Sequence, residues 1–202
     1  RGQSAAKALA DDLAALDAAM DASDLIYFSG ITLAILPAKG REALLAVARK
    51  ARSAGKIIAF DPNLRPRLWA SDAEMTDTIM QAAAVSDIVL PSFEDEADWF
   101  KDANPKATAD RYLNAGAVTV IVKNGADPVL YAEGASYAEV PVTQVETLVD
   151  TTAAGDSFNA GIFARHAAGD KLAGGIAYAC ALSRQVVQSR GALVAFDPES
   201  IR

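Results

Sequence analysis

Four short apolar runs, spaced along the chain with helix-patterned stretches between them, constrain this sequence more than any other feature. They are Asp24-Leu-Ile-Tyr-Phe-Ser29, Lys56-Ile-Ile-Ala-Phe-Asp61, Asp87-Ile-Val-Leu-Pro91 and Val118–Val122. Each is too short for a core helix and rich in β-branched or aromatic residues, so each predicts a buried strand. A helix over about Lys39–Ser53 stops at Gly55, a favoured helix-terminating residue. Ser71-Asp-Ala-Glu74 has capping-box spacing and opens a helix to about Val85. An acidic helix and then an Ala-rich one run on to Ala115. Strands that alternate with helices imply a parallel sheet covered on both faces, which makes the chain α/β.

Outside that rhythm, Ser4–Asp21 predicts an Ala-rich helix with Leu9, Leu13, Leu16 and Met20 at helical spacing. After Gly125 the pattern changes. Val129–Ala132 and Tyr137–Val142 predict a hairpin around Glu133-Gly134. Helices follow over about Ser157–Ala168 and Lys171–Ser189, then a short strand near Ala192–Phe196. No repeat or linker divides the 202 residues, so one domain over 1–202 is expected. A net charge of −7 disfavours sequence-independent binding to nucleic acid or to an anionic membrane. No apolar run approaches a membrane span. The single Cys180 excludes an internal disulfide framework and suits a reducing cytoplasm.

The most specific chemistry lies in Asp150-Thr-Thr-Ala153-Ala154-Gly155-Asp156-Ser-Phe-Asn-Ala-Gly161. Small residues feeding a helix present several backbone N–H groups to one point, where the helix dipole also favours an anion. Asp156, at the mouth of the turn, can take a proton from a hydroxyl nucleophile. This stretch closely resembles the C-terminal signature of the ribokinase-like (PfkB) sugar kinases. The resemblance implies a ribokinase-like, Rossmann-type αβα sandwich with a mainly parallel sheet. It also implies an anion hole at Ala153, Ala154 and Gly155, with Asp156 as catalytic base and sugar contact. ATP and Mg2+ follow from it as cofactors. The chain begins at Arg1 in a helical pattern, so we expect the C-terminal part of such a kinase, with N-terminal strands and the β lid missing. In full-length relatives the resemblance implies a homodimer formed through the lid sheet.

A second stretch, Phe60-Asp61-Pro62-Asn63-Leu64-Arg65-Pro66-Arg67-Leu68-Trp69, puts a guanidinium on a proline-stiffened strand exit. Either Arg65 meets an anionic ligand or it pairs with Asp61 to hold the loop. The stretch is similar to one common in 2-keto-3-deoxygluconate kinases and fructokinases. The former resemblance implies Arg65 at an acidic sugar, with Asn63 and Arg65 near the nucleotide phosphates. Arg1 and Ile31 resemble further sugar contacts of that subfamily. Two arginines suit a substrate that carries a carboxylate. Lys123-Asn124-Gly125 resembles the strand end that borders the nucleotide, and Cys180 lies on the helix that flanks adenine in relatives.

At Pro91-Ser92-Phe93-Glu94-Asp95-Glu96 the sequence departs from the family's Asn-x-x-Glu. Ser92 stands at the Asn position, by the nucleotide. The metal ligand remains open among the three acids, which equally suit an acidic first helical turn. His166, late in its helix, is expected to be a C-terminal neighbour of the helix end and not a catalyst. The expected reaction is ATP-dependent phosphorylation of 2-keto-3-deoxygluconate. The alternatives are another sugar, such as fructose or ribose, or a catalytically silent nucleotide-binding fragment.

Overall fold

The structure is a computed structural model that describes residues 4–196 and 201. Its backbone contacts divide the chain into two compact units: residues 1–122 with 131–137, and residues 123–130 with 138–202.

The first unit carries most of the sheet. Strand β1 (Leu25–Ser29) pairs in parallel with β2 (Ile57–Asp61), β2 with β3 (Ile88–Val89), and β3 with β4 (Thr119–Val122). Ser29 stands beside Asp61, and Phe60 beside Val89 beside Val120, so the carboxyl ends of these strands share one edge. Beyond β4 come β5 (Val129–Glu133) and β6 (Ser136–Val140), joined through Gly134-Ala135 as a hairpin, and the strand order is β1 to β6 in sequence.

The crossovers between the parallel strands are helical. From β1 the chain passes through α2 (Gly30–Ile35) and α3 (Ala38–Ser53), following the amino-terminal α1 (Leu13–Asp21). From β2 it passes through α4 (Asp72–Ala83), and from β3 through α5 (Phe93–Phe100) and α6 (Pro105–Ala115). Crossovers of one hand that all step the same way place α3, α4 and α5–α6 on one face of the sheet. Leu33, Ile58, Phe60, Met75, Ile79, Leu90, Tyr112 and Ile121 are wholly buried in this unit. Burial of each such side chain contributes roughly 1.5–3 kcal/mol.

The second unit is built on α7 (Ala154–Ala167) and α8 (Leu172–Val186). They approach closely because Gly161 has no side chain: a Cβ there would lie 2.8 Å from the Cα of Ala179. Phe158, Ile162, Ile176, Leu182 and Val186 form the buried seam.

The alternating α/β pattern read from the sequence is present, with several differences. The helix expected over Ser4–Asp21 is two pieces, a 3-10 turn at Ala5–Ala8 and α1. Asp12 interrupts it, because its carboxylate accepts from the Ala15 amide at 3.0 Å and so starts a new helix. Gly30, expected in a turn, opens α2, where Ser29 and Thr32 form a capping box. The capping box expected at Ser71 is half made. Ser71 Oγ accepts from the Glu74 amide at 3.1 Å, but Glu74 turns its carboxylate to the Ala70 amide and Arg41. Helix α7 begins at Ala154, three residues earlier than expected, so Asp156 lies inside its first turn. No strand forms at 192–196, where the described backbone is irregular.

Candidate active site

In the second unit the turn that precedes α7 is built by Asp150. Its carboxylate accepts from the Thr152 amide at 2.8 Å and from the Gly191 amide at 2.9 Å. A hydrogen bond from the Thr152 side chain, then those from the Gly191 and Thr152 amides, hold the Asp150 carboxyl at about 2, below the usual carboxylate range. Ala153 then takes a left-handed conformation, φ 61°. That costs a non-glycine residue roughly 1–2 kcal/mol, and it bends the chain so that α7 starts abruptly.

The turn spends part of its own donor capacity. The Ala154 amide donates to the Thr151 carbonyl at 3.1 Å, and the Ser157 amide to the Ala153 carbonyl at 2.8 Å. Of the four amides from Ala153 to Asp156 expected to face an anion, that of Ala154 is therefore committed inside the turn. The amides of Gly155 and Asp156 have no acceptor among the described residues. The Ala154 carbonyl accepts from both Ser157 Oγ (2.9 Å) and Ser183 Oγ (3.0 Å), which ties the turn to α8. Asp156 is exposed, with no hydrogen bond or ion pair among the described residues.

Lys123 closes the other side of this turn. Its Nζ lies 3.7 Å from where a Cβ of Gly155 would be, and 3.4 Å from Asn159 Oδ1. Asn159 is 1% exposed. It was not among the expected site residues, although its i,i+3 spacing from Asp156 is legible. Asn124 and Gly125 form a tight turn, with the Asp127 amide bonded to the Asn124 carbonyl at 3.0 Å. Cys180 lies on α8, where burial pushes its thiol up to about 11. The structure therefore groups Lys123 with Ala153, Ala154, Gly155 and Asp156.

The first unit holds Ile31, Asn63, Arg65 and Ser92. Ile31 and Arg65 line one cavity of about 930 Å³ together with Lys7, Arg67, Leu68 and Trp99. Asn63, φ 37°, donates its amide to Asp61 Oδ1 at 3.1 Å, which turns the chain sharply out of β2. The loop is pressed against β1's exit: a Cβ on Gly30 would lie 1.9 Å from the Pro62 carbonyl oxygen. Arg65 Nη1 donates to the Leu64 carbonyl at 2.6 Å and stands 3.8 Å from Asp95 Oδ2. The guanidinium is thus oriented by α5, with about half its side-chain surface open to a ligand. Ser92 is the N-cap residue of α5 without a side-chain capping bond. Arg1 lies outside the described residues.

The three acids of α5 separate by environment. Glu96 is wholly buried; its carboxylate accepts from Arg111 Nη2 at 2.6 Å and from Tyr112 Oη at 2.9 and 3.0 Å. Burial pushes its carboxyl up to about 7, against the opposing pull of Arg111 and Tyr112. The Arg111 guanidinium also pairs with Asp102 at 2.6 Å and lies 3.7 Å from the centre of the Phe100 ring. Glu96 is therefore committed to the core, and Asp95 faces Arg65. Among the described residues no group of three His, Cys, Asp or Glu side chains could hold a metal ion. No helix of the described residues is long and apolar enough to cross a membrane.

The chain is similar to known proteins over most of its described length. Residues 1–198 match the model of the pfkB family carbohydrate kinases. The chain is 37% identical to 2-dehydro-3-deoxygluconokinase of Escherichia coli (strain K12), over 85% of this chain and 56% of that protein. It is 34% identical to a fructokinase of Vibrio alginolyticus, over 71% of this chain and 47% of that one. A crystal structure of aminoimidazole riboside kinase from Salmonella enterica, complexed with aminoimidazole riboside and an ATP analog, superposes with a TM-score of 0.74. That likeness is at 30% identity and covers 83% of this chain and 57% of that one. The chain thus spans about half the length of the relatives it matches.

Proposed function

Because this chain belongs to the pfkB family of carbohydrate kinases, we propose that it supplies the catalytic half of an ATP-dependent kinase acting on 2-keto-3-deoxygluconate. The observation that carries the reading is the turn at Ala153–Asp156, where among the described residues the amides of Gly155 and Asp156 have no acceptor and the Asp156 side chain is exposed. In the proposed step a substrate hydroxyl oxygen attacks the γ-phosphorus of ATP, and its proton passes to Asp156. The bond from that phosphorus to the β–γ bridging oxygen breaks, and ADP leaves. The amides of Gly155 and Asp156 hold charge on the transferred group, and Lys123 adds a positive point charge beside them.

Magnesium, when bound, neutralises phosphate charge. The described residues offer no carboxylate cage for it. It fits this chain as an ion that accompanies the nucleotide and keeps most of its waters. Arg65, with Asn63 fixing its loop, is the residue we assign to the sugar, and an acidic sugar suits its open guanidinium. A second reading, fructose as substrate, is favoured by the fructokinase likeness.

ADP release measured with 2-keto-3-deoxygluconate, fructose and aminoimidazole riboside in turn tests the assignment. We expect the acidic sugar to be preferred. A preference for fructose would reverse the reading of Arg65, and no turnover with any of them would leave the chain as a nucleotide-binding portion of a larger enzyme.

A further inference from the structure

The segment Arg65–Leu68 lines a cavity of the first unit, yet among the described residues none of its own hydrogen bonds fixes the far end of the loop against the body of that unit. That task falls to a pair on two other elements. Arg41, in the first turn of α3, donates from Nη2 to Glu74 Oε1 of α4 at 2.5 Å. The other oxygen of Glu74 accepts from the Ala70 amide at 3.1 Å, so one carboxylate joins α3 to the loop backbone. The Arg41 guanidinium also lies 5.3 Å from the centre of the Trp69 ring. Arg41 holds Glu74 below the usual carboxylate range, with the Ala70 amide adding to the effect.

We propose that Arg41 is a positioning residue for the sugar-binding loop, which it acts on through Glu74 and Trp69. The loop is anchored at its start by Asp61 and by the Gly30–Pro62 contact, and at its end by this bracket. What lies between the two anchors is the run Arg65-Pro66-Arg67-Leu68 that faces the cavity. A planar, forked guanidinium can bind a carboxylate and stack on a ring at once; an ammonium cannot. The inference rests on the reading that this loop meets the sugar.

The test uses the two tryptophans of the chain, Trp69 and Trp99. In a Trp99→Phe background, emission reports Trp69 alone. Arg41→Gln should shift that emission to the red and lower its anisotropy, and Glu74→Gln should do the same. With Trp99 restored, calorimetry should show Arg41→Gln weakening the best-bound of the three sugars about tenfold, the scale of one or two lost polar contacts. ATP affinity should stay within about twofold, since the bracket is proposed to act on the sugar alone. Arg41→Lys should fall between the two. Unchanged sugar affinity in Arg41→Gln overturns the positioning role and leaves the proposed function standing. Equal loss of sugar and ATP affinity also overturns it, because that pattern marks general destabilisation. If the unsubstituted chain binds none of the three sugars, the proposed function fails and the positioning role with it.

Discussion

The turn at Asp150–Asp156 and the loop at Pro62–Ser71 both present groups that can hold an anion, but they are built by opposite means. The turn is made of backbone. Its donors are amides, its shape comes from an Asp hydrogen-bonded to Thr152 and Gly191, and its side chains are mostly small. The loop is made of side chains carried at the ends of flexible stems, and distant elements fix its course: α2 through Gly30, α3 through Arg41, α5 through Asp95. A backbone site is robust to change around it because the amides are oriented by the helix they begin. A side-chain site depends on every bracket that limits its freedom.

The largest expected effect separates the two regions most sharply. Asp156→Asn should lower turnover on the order of a thousandfold while nucleotide affinity stays unchanged. Steady-state kinetics beside ATP titration would show it, and parallel loss of both would contradict the role of a base.

Glu96→Gln asks how far the brackets of the loop depend on buried charge. The folded carboxyl of Glu96 is raised from an ordinary Glu value to about 7. Its contribution to stability is therefore fully present below about pH 4.5 and lost as pH rises through about 7. Between those limits, stability relative to the Gln variant should fall by on the order of 3 kcal/mol, read by denaturant unfolding across pH. A change in the opposite direction would mean that the Arg111 charge outweighs burial.

Gly30→Ala forces its Cβ onto the Pro62 carbonyl, so the loop must shift. We expect a cost of about 1–3 kcal/mol in stability and a selective loss of sugar affinity. An unaltered affinity would show that the loop does not need this anchor.

The smallest change belongs to the turn. Ala153→Gly removes left-handed strain at a modest cost in unfolded-state entropy, for a net gain of about 0.5 kcal/mol by thermal unfolding. A loss of stability there would show that the Ala153 methyl group makes contacts worth more than the strain.

The same contrast governs what could be read without coordinates. The alternation of strands and helices, the helix starting near Asp156 and the hairpin about Gly134 were all legible, because local periodicity and turn chemistry specify them. The helical stretch over Ser4–Asp21 was misread because apolar spacing continues across Asp12, whose capping bond competes with an unbroken helix. Asn159 was within reach, three residues from Asp156 on the same helix. Arg41 was not, since nothing local marks its pairing with Glu74, 33 residues away.

By itself the sequence determined the α/β class, the family and the turn that opens α7, because these rest on short-range patterns: residue size, helix starts and the order of apolar runs. Only the tertiary structure decided which of three neighbouring acids on α5 is buried, which faces Arg65, and which distant side chains hold the loop. Those outcomes depend on desolvation and on contacts between elements far apart in the chain, and no local pattern encodes them.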